Sequence, residues 1–190
     1  MKLFEDCVVG KINMRNRIIR SATHDGLADP VTEGVSEELI RKYVCRAKND
    51  VGCIIQGYAI VSPDGRSNYP RCLGFFNPAA AAGYKALTKA VHDEGGAIVA
   101  QLAHCGRQTS SKAIGIKKIA PTAKRQLLYP DKAREMTIGD IKRVENDFVT
   151  AIVRAKEYDY DGVQLHLAHG YLLHDFISEN GNKRKDEYGG

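Results

Sequence analysis

Hydrophobic positions along the chain alternate between short runs typical of β-strands and longer segments with the spacing of an amphipathic helix. Strands are predicted at 17–20, 51–58, 97–102 and 162–166. Helices are predicted at 37–48, at 79–94 and from 138 to about 158. This alternation predicts parallel strands that are joined by right-handed helical crossovers.

Two architectures fit this order: an open doubly wound sheet, or part of a (β/α)₈ barrel. A dinucleotide-binding sheet would carry G-x-G-x-x-G at its first strand–helix turn, but residues 21–26 read S-A-T-H-D-G. Polar or small residues instead follow each predicted strand: Ser21 and Thr23, Gly57 and Tyr58, Gln101 and His104, and His166 and His169. In a barrel these strand ends converge on one face, where active sites lie. We therefore predict an α/β fold, a partial TIM (β/α)₈ barrel of about its first four β/α units.

Helix starts are indicated by capping residues. Ser36, Asn77 and Thr137 each precede a predicted helix, and Pro78 suits a first helical position. On the last helix, the residues predicted to face inward are Ile138, Ile141, Val144, Phe148, Ile152 and Ala155. The segment 62–76 is interpreted as a loop, and 103–135 has no strong period. A loop as long as the second one is uncommon unless it has a function.

Composition narrows the function classes. The chain has 190 residues, 43% hydrophobic and 27% charged, with scattered cations and a net charge of +5. This balance argues against nucleic-acid binding and is compatible with an anionic cofactor. No apolar run approaches the ~18 residues of a membrane span, and the N-terminus lacks the apolar stretch of a secretory signal. Five widely spaced cysteines without a C-x-x-C pair argue against a disulfide framework and a metal cluster. We expect a cytoplasmic protein that binds no membrane.

The strongest chemical pattern follows the last predicted strand, where His166, His169 and Tyr171 stand close together. The two histidines could bind a metal if His104 or Asp175 supplied a third ligand. They could instead be neutral hydrogen-bond donors to a carbonyl oxygen, or they could satisfy backbone groups of the loop. Their position at a strand end favours a functional role.

This segment resembles the histidine motif of the old yellow enzyme family, which comprises FMN-dependent ene-reductases and NADH:flavin oxidoreductases. Further segments resemble that family in the same order along the chain, at 16–23, 57–66, 101–107, 120–123 and 134–137. Each motif alone is weak, but their order from residue 3 to residue 190 makes the resemblance strong.

The resemblance implies that FMN binds at the ends of the first three strands. Ser21 belongs to the turn that contacts the flavin, and Ala22 and Thr23 would lie near its N5/O4 edge, where the Thr23 hydroxyl would tune the reduction potential. Gly57 would let the backbone approach the ring. Gln101 would hydrogen-bond the pyrimidine edge.

The resemblance also implies the reaction, in which reduced flavin delivers hydride to an activated C=C bond of a small α,β-unsaturated carbonyl substrate. His166 and His169 would stabilise the charge that develops on the carbonyl oxygen. Tyr171 would protonate the α-carbon. NADH or NADPH would reduce the flavin.

Two other functions remain open at this point. A non-catalytic remnant, or a half-barrel interaction module, would keep the fold without turnover. A metal hydrolase would use His166, His169 and a carboxylate.

Chain length is the largest departure from the family, because a (β/α)₈ barrel needs about 250 residues. We expect residues 1–190 to be the N-terminal portion of an FMN-binding barrel domain, truncated by a split gene or as a fragment. Possible partners are a second half-barrel chain or further copies of this chain, since an unclosed barrel leaves an open strand edge.

Overall fold

The computed structural model describes residues 2–190. Within these residues the strands are β1 (Cys7–Val9), β2 (Ile12–Met14), β3 (Ile19–Arg20), β4 (Cys53–Ile55), β5 (Ala59–Ile60), β6 (Leu73–Gly74), β7 (Ala97–Ala103), β8 (Ile119–Ala120), β9 (Arg134–Glu135) and β10 (Gly162–Leu165). The α-helices are α1 (Glu37–Lys48), α2 (Ala81–Asp93), α3 (Ser111–Ile114), α4 (Ile138–Glu157) and α5 (Leu172–Ile177). Turns of 3-10 helix cover Lys2–Phe4, Pro63–Gly65 and Pro78–Ala80.

The main sheet is built from β3, β4, β7 and β10, which run parallel in the order in which they occur along the chain. Cys53 in β4 lies opposite Ile19 on one side and Ala97 on the other. The short strand β5 pairs with the carboxyl end of β7, and β6 pairs with β5. This sequential order has no reversal, so the alternative of a doubly wound sheet is wrong. The predicted partial TIM barrel of four β/α units is confirmed.

Helices α1, α2 and α4 cover the outer side of the sheet through apolar stripes. Their buried apolar residues are Leu39, Tyr43, Ala47, Tyr84, Leu87, Val91, Ile141, Val144, Phe148, Ala151 and Ala155. Two residues predicted to face inward are exposed, Ile138 at 40% and Ile152 at 41%. Ile138 is the first residue of α4, and Ile152 lies one residue past the stripe, in which Ala151 takes the inward position. A helix turns by about 100° per residue, which moves Ile152 off the buried face.

The predicted caps form at the helix starts. The Ser36 hydroxyl accepts a hydrogen bond from the Leu39 amide at 3.2 Å. Thr137 and Asp140 form a reciprocal capping box at the start of α4. Asn77 caps the 3-10 turn that leads into α2, because its side chain accepts from the Ala79 amide.

Residues 103–135 are ordered around a buried lysine. The Lys118 ammonium group is fully buried and donates hydrogen bonds to the carbonyl oxygens of Thr109, at 2.9 Å, and Tyr129, at 3.1 Å. It also lies 3.0 Å from the Asp131 carboxylate. A buried charge is tolerated only with such partners, so Lys118 fixes the course of this segment.

The antiparallel hairpin β1–β2 closes the end of the sheet where the strands begin. Met14 packs with Cys53, Ala97 and Val99, and Ile12 lies against this cluster. The sequence patterns did not predict this hairpin. Among residues 2–190, no helix combines the length and the apolar composition needed to cross a bilayer.

Candidate active site

The carboxyl ends of β3, β4, β7 and β10 surround an open cleft of about 380 Å³. The residues that line it are Ala22, Tyr58, Gln101, Gln164, Leu165, His166, Leu167, Ala168, His169 and Tyr171. The fold therefore brings together five of the predicted site residues: Ala22, Gln101, His166, His169 and Tyr171. Ser21, Thr23 and Gly57 stand beside the cleft and do not line it.

His166 is held as a neutral imidazole. Its side chain is buried, and its Nδ1 atom accepts a hydrogen bond from the Ala168 amide at 3.2 Å. The proton of the neutral ring therefore resides on Nε2, which is free to donate. Burial, together with the nearby His169, lowers the pKa of His166, so that the neutral form is favoured near neutral pH.

His169 is positioned by unusual backbone geometry. His169 and Gly170 both adopt left-handed conformations, with φ of 59° and 70°. Such a conformation is strained for a residue other than glycine and persists only where the surroundings enforce it. The Gln108 amide donates to the His169 carbonyl oxygen at 2.8 Å, and the imidazole rings of His166 and His169 are 5.4 Å apart between centroids.

The Tyr171 ring lies next to both histidines. Its centroid is 4.7 Å from that of His166 and 5.7 Å from that of Tyr58. Burial and the nearby Cys105 raise the pKa of Tyr171 to about 12. The phenol consequently keeps its proton at neutral pH and can serve as a proton donor.

The loop that follows β7 fixes the backbone on either side of Tyr171. The Leu172 amide donates to the His104 carbonyl oxygen at 2.9 Å. Gly106, with φ of 58°, packs so closely that a Cβ atom there would lie 3.0 Å from the Cα atom of Leu172. The Arg107 guanidinium lies 2.9 Å from the buried Asp175 carboxylate in α5.

The ends of β3 and β4 are joined through Gly57. A Cβ atom at Gly57 would collide with the Thr23 carbonyl oxygen, so the close approach that requires glycine is between two strand ends. The Gly57 amide donates to the Tyr43 hydroxyl at 3.0 Å. The exposed Thr23 hydroxyl donates to the Ser21 carbonyl oxygen at 3.3 Å.

A buried charge network supports the same turn. Both Arg20, at 3.0 Å, and Lys42, at 2.7 Å, contact the Asp25 carboxylate. The Tyr43 hydroxyl donates to Asp25 at 2.9 Å. Burial alone would raise the pKa of Asp25, but the hydrogen bonds from Lys42 and Tyr43 and the charge of Arg20 lower it overall. Asp25 therefore stays ionised and holds the turn that carries Ser21, Ala22 and Thr23.

Gln164, which lines the cleft, and His24, which lies beside it, had no predicted role. Gln164 pairs in register with Gln101 across β10 and β7, and the Gln101 amide donates to the Gln164 oxygen at 2.6 Å. Its position two residues before His166 could have indicated this, because alternate residues of a strand share a face. His24 stacks on Tyr58 with 5.5 Å between ring centroids, which places a further imidazole beside the cleft wall.

The metal-hydrolase alternative lacks a ligand set. Within residues 2–190, no group of three or more His, Cys, Asp or Glu side chains is arranged to hold a metal ion. His104 Nδ1 accepts from the Gly106 amide at 3.0 Å, and Asp175 is paired with Arg107. Neither residue joins His166 and His169.

The donor set of the cleft fits a flavin ring, which the resemblance implies. Gln101 and Gln164 offer amide groups, and their side chains face the cleft together with the Tyr58 and Tyr171 rings. Amides suit the imide edge of a flavin, and aromatic rings suit a flat ligand. The neutral His166 and the protonated Tyr171 stand at the same cleft, where a second ligand could be polarised and protonated.

Comparison with known proteins finds a family model and relatives that match almost the whole chain. The family model described as NADH:flavin oxidoreductase / NADH oxidase matches residues 2–190. An NADH oxidase of Thermoanaerobacter brockii is 37% identical over 190 residues, which is 99% of this chain and 29% of that protein. An NADPH dehydrogenase of Bacillus subtilis is 33% identical over 199 residues, covering 100% of this chain and 55% of that protein.

Solved structures show the same fold. An old yellow enzyme homologue from Zymomonas mobilis superposes with a TM-score of 0.89 at 32% identity, covering 100% of this chain and 55% of that one. Morphinone reductase in complex with tetrahydroNAD gives a TM-score of 0.91 at 26% identity, covering 100% of this chain and 56% of that one. The chain thus spans about half the length of these structures.

Proposed function

The chain belongs to the NADH:flavin oxidoreductase / NADH oxidase family, and from this premise we propose that it forms the substrate-polarising part of an FMN-dependent reductase for activated C=C bonds. The substrate class is α,β-unsaturated carbonyl compounds. When bound, FMN supplies the hydride after reduction by NADH or NADPH.

The observation that carries this proposal is the juxtaposition of a neutral imidazole and a protonated phenol. His166 Nε2 is free to donate, and the Tyr171 ring is 4.7 Å away. His166 and His169 would donate to the carbonyl oxygen of the substrate, where negative charge builds as hydride reaches the β-carbon. Tyr171 would give its hydroxyl proton to the α-carbon.

The proposed FMN-binding residues are Ser21, Ala22, Thr23, Gly57 and Gln101. Ala22 and Gln101 line the cleft, which supports direct contact with the ring. The other three support the cofactor through the turn after β3, because Asp25 and Tyr43 fix this turn and the adjoining Gly57. Tuning of the flavin by the Thr23 hydroxyl is part of the same proposal.

Further β/α units would complete the site. Leu165 and Leu167 are exposed at 44% and 45% beside an apolar groove between α4 and α5. Exposed apolar surface and unpaired strand edges favour association. We propose that residues 1–190 are one portion of a barrel domain whose remaining units come from a longer polypeptide, a second half-barrel chain or another copy. The cytoplasm is the proposed location, which the free state of all five cysteines supports.

The test is reduction of 2-cyclohexenone by the purified chain, supplied with FMN and NADH or NADPH without oxygen, alone and with any candidate second half. The expected product is cyclohexanone, formed at a rate that His166→Ala and Tyr171→Phe lower. Flavin binding without product, in every combination, would favour the alternative of a non-catalytic half-barrel.

A further inference from the structure

We propose that Gln164 is a positioning residue that fixes the Gln101 amide, so that the two side chains together recognise the imide edge of the flavin. This inference rests on the proposed function. Its structural basis is the hydrogen bond from Gln101 Nε2 to Gln164 Oε1, which measures 2.6 Å.

The sheet register brings the two amides together. Gln101 in β7 lies directly opposite Gln164 in β10, and the strands are parallel. Side chains opposite each other in register point to the same side of a sheet, and both of these line the cleft. The hydrogen bond therefore joins β7 and β10 at the surface of the cleft.

The hydrogen bond assigns a role to each remaining amide atom. Gln101 uses one N–H on Gln164, so its Oε1 atom remains an acceptor toward the cleft. Gln164 uses its oxygen, so its NH₂ group remains a donor. The pyrimidine ring of a flavin presents an N3–H donor between two carbonyl acceptors. An acceptor beside a donor complements that edge.

A purely structural role does not explain the pair. Gln164 is exposed to the cleft, so water could satisfy either amide in the absence of the other. Such a bond contributes little to the stability of the fold. Without Gln164, however, no neighbouring side chain within residues 2–190 holds the Gln101 amide with its Oε1 atom toward the cleft, so the acceptor for the flavin N3–H is no longer preorganised.

The test compares binding of FMN and of FMN methylated at N3, measured by flavin fluorescence in titrations with the full chain. The wild type should prefer FMN by about 10-fold, the range expected of one hydrogen bond. Gln164→Leu should lower this preference to about 2-fold or less. Gln164→Glu keeps an acceptor oxygen for Gln101 and should keep most of the preference. Circular dichroism verifies folding, and Gln164→Ala replaces the leucine variant if that one does not fold.

The outcomes distinguish failure of the inference about Gln164 from failure of the proposed function. Equal preference for FMN in the wild type and in Gln164→Leu, or no preference in the wild type, overturns this inference and leaves the proposed function standing. A wild-type chain that binds neither flavin, alone or with a second half-barrel, overturns both.

Discussion

The Arg107 guanidinium lies 2.9 Å from the Asp175 carboxylate and ties the loop after β7 to the helix that begins beside Tyr171. The Asp175 side chain is only 1% exposed. Burial outweighs the attraction of Arg107 and raises the pKa of Asp175 from 3.8 to about 6. This pair holds the helix that begins after Tyr171, the proposed proton donor, and also makes stability depend on pH.

Asp175→Asn should change the pH dependence of unfolding. Because the pKa of Asp175 is raised in the folded state, that state holds the proton more tightly than the unfolded chain. Ionisation therefore costs stability as the pH rises from about 4 to about 6, and the cost is absent below that window. Relative to the wild type, the variant should gain about 3 kcal/mol in unfolding free energy across the window. Urea titrations at several pH values measure this, and a constant difference would contradict it.

Arg107→Met should destabilise the chain at pH 7 because it leaves a buried carboxylate without its cation. We expect a loss of about 3 kcal/mol. The same change in the Asp175→Asn background is the matched control and should cost much less. Equal losses in both backgrounds would show that Arg107 acts through packing alone.

Gly57→Ala should destabilise the fold and disturb the turn at Ala22. The added methyl group meets the Thr23 carbonyl oxygen, so a strand end must move, at a cost of about 3 kcal/mol. Gly139→Ala is the control, because a Cβ atom there meets only Thr137 Oγ1 at 3.6 Å. Alanine in this first turn of α4 should be neutral or stabilise by less than about 1 kcal/mol. Chemical denaturation compares the two variants; a neutral Gly57→Ala would refute the steric reason for this glycine.

Removing the His169 ring should raise the pKa of His166. Burial is the larger cause of the lowered value, and the charge of His169 is the second. In His169→Ala the second cause is gone, and the ring of His166 should gain solvent as well. NMR titration of the imidazole resonances follows this directly. An unchanged or lower pKa of His166 in the variant would show that His169 does not help to keep the His166 ring neutral.

Tyr171→Phe should slow enone reduction by about 100-fold while leaving flavin binding intact, since a general acid contributes at least that much. The pKa of about 12 keeps the phenol protonated, so its contribution should not titrate between pH 6 and 9. Tyr69→Phe is the control, because Tyr69 is 57% exposed and contacts His24 outside the cleft lining. Steady-state rates of both variants test this; equal rates for Tyr171→Phe and the wild type would remove the proposed proton donor.

Local sequence patterns predicted the helix starts and the order of strands and helices well. Ser36 and Thr137 cap helices because a hydroxyl reaches an amide within the same turn, which requires no knowledge of the rest of the chain. The prediction of the buried face of α4 was correct for Ile141, Val144, Phe148 and Ala155 and wrong for Ile152. Hydrophobicity alone does not show that the smaller Ala151 takes the buried position instead. The half-barrel was predicted from the alternation of strands and helices, the polar residues after each strand, the absence of a dinucleotide fingerprint and the ordered resemblance to a known family.

Contacts between residues far apart along the chain could not be predicted from the sequence. Lys118 is surrounded by carbonyl groups from residues 9 and 11 positions away, so its burial could not be inferred from its neighbours. The partnership of Gln101 with Gln164 depends on the register of two strands that are separated by 63 positions. Of the side chains predicted to converge, Gln101, His166 and Tyr171 line the cleft, whereas Thr23 stands beside it. The collision with the Thr23 carbonyl oxygen that explains Gly57 could not be predicted from the sequence.

The sequential strand order also bears on how the chain emerges from the ribosome. Each of β4, β7 and β10 pairs with the main strand that precedes it along the chain, so every β/α unit can dock as soon as it has been synthesised. The hairpin β1–β2 is the exception: Ile12 meets the position of Gly162, where an added Cβ atom would lie 3.1 Å from its Cδ1 atom. The first structure to leave the ribosome therefore gains its final packing only when the fourth main strand arrives.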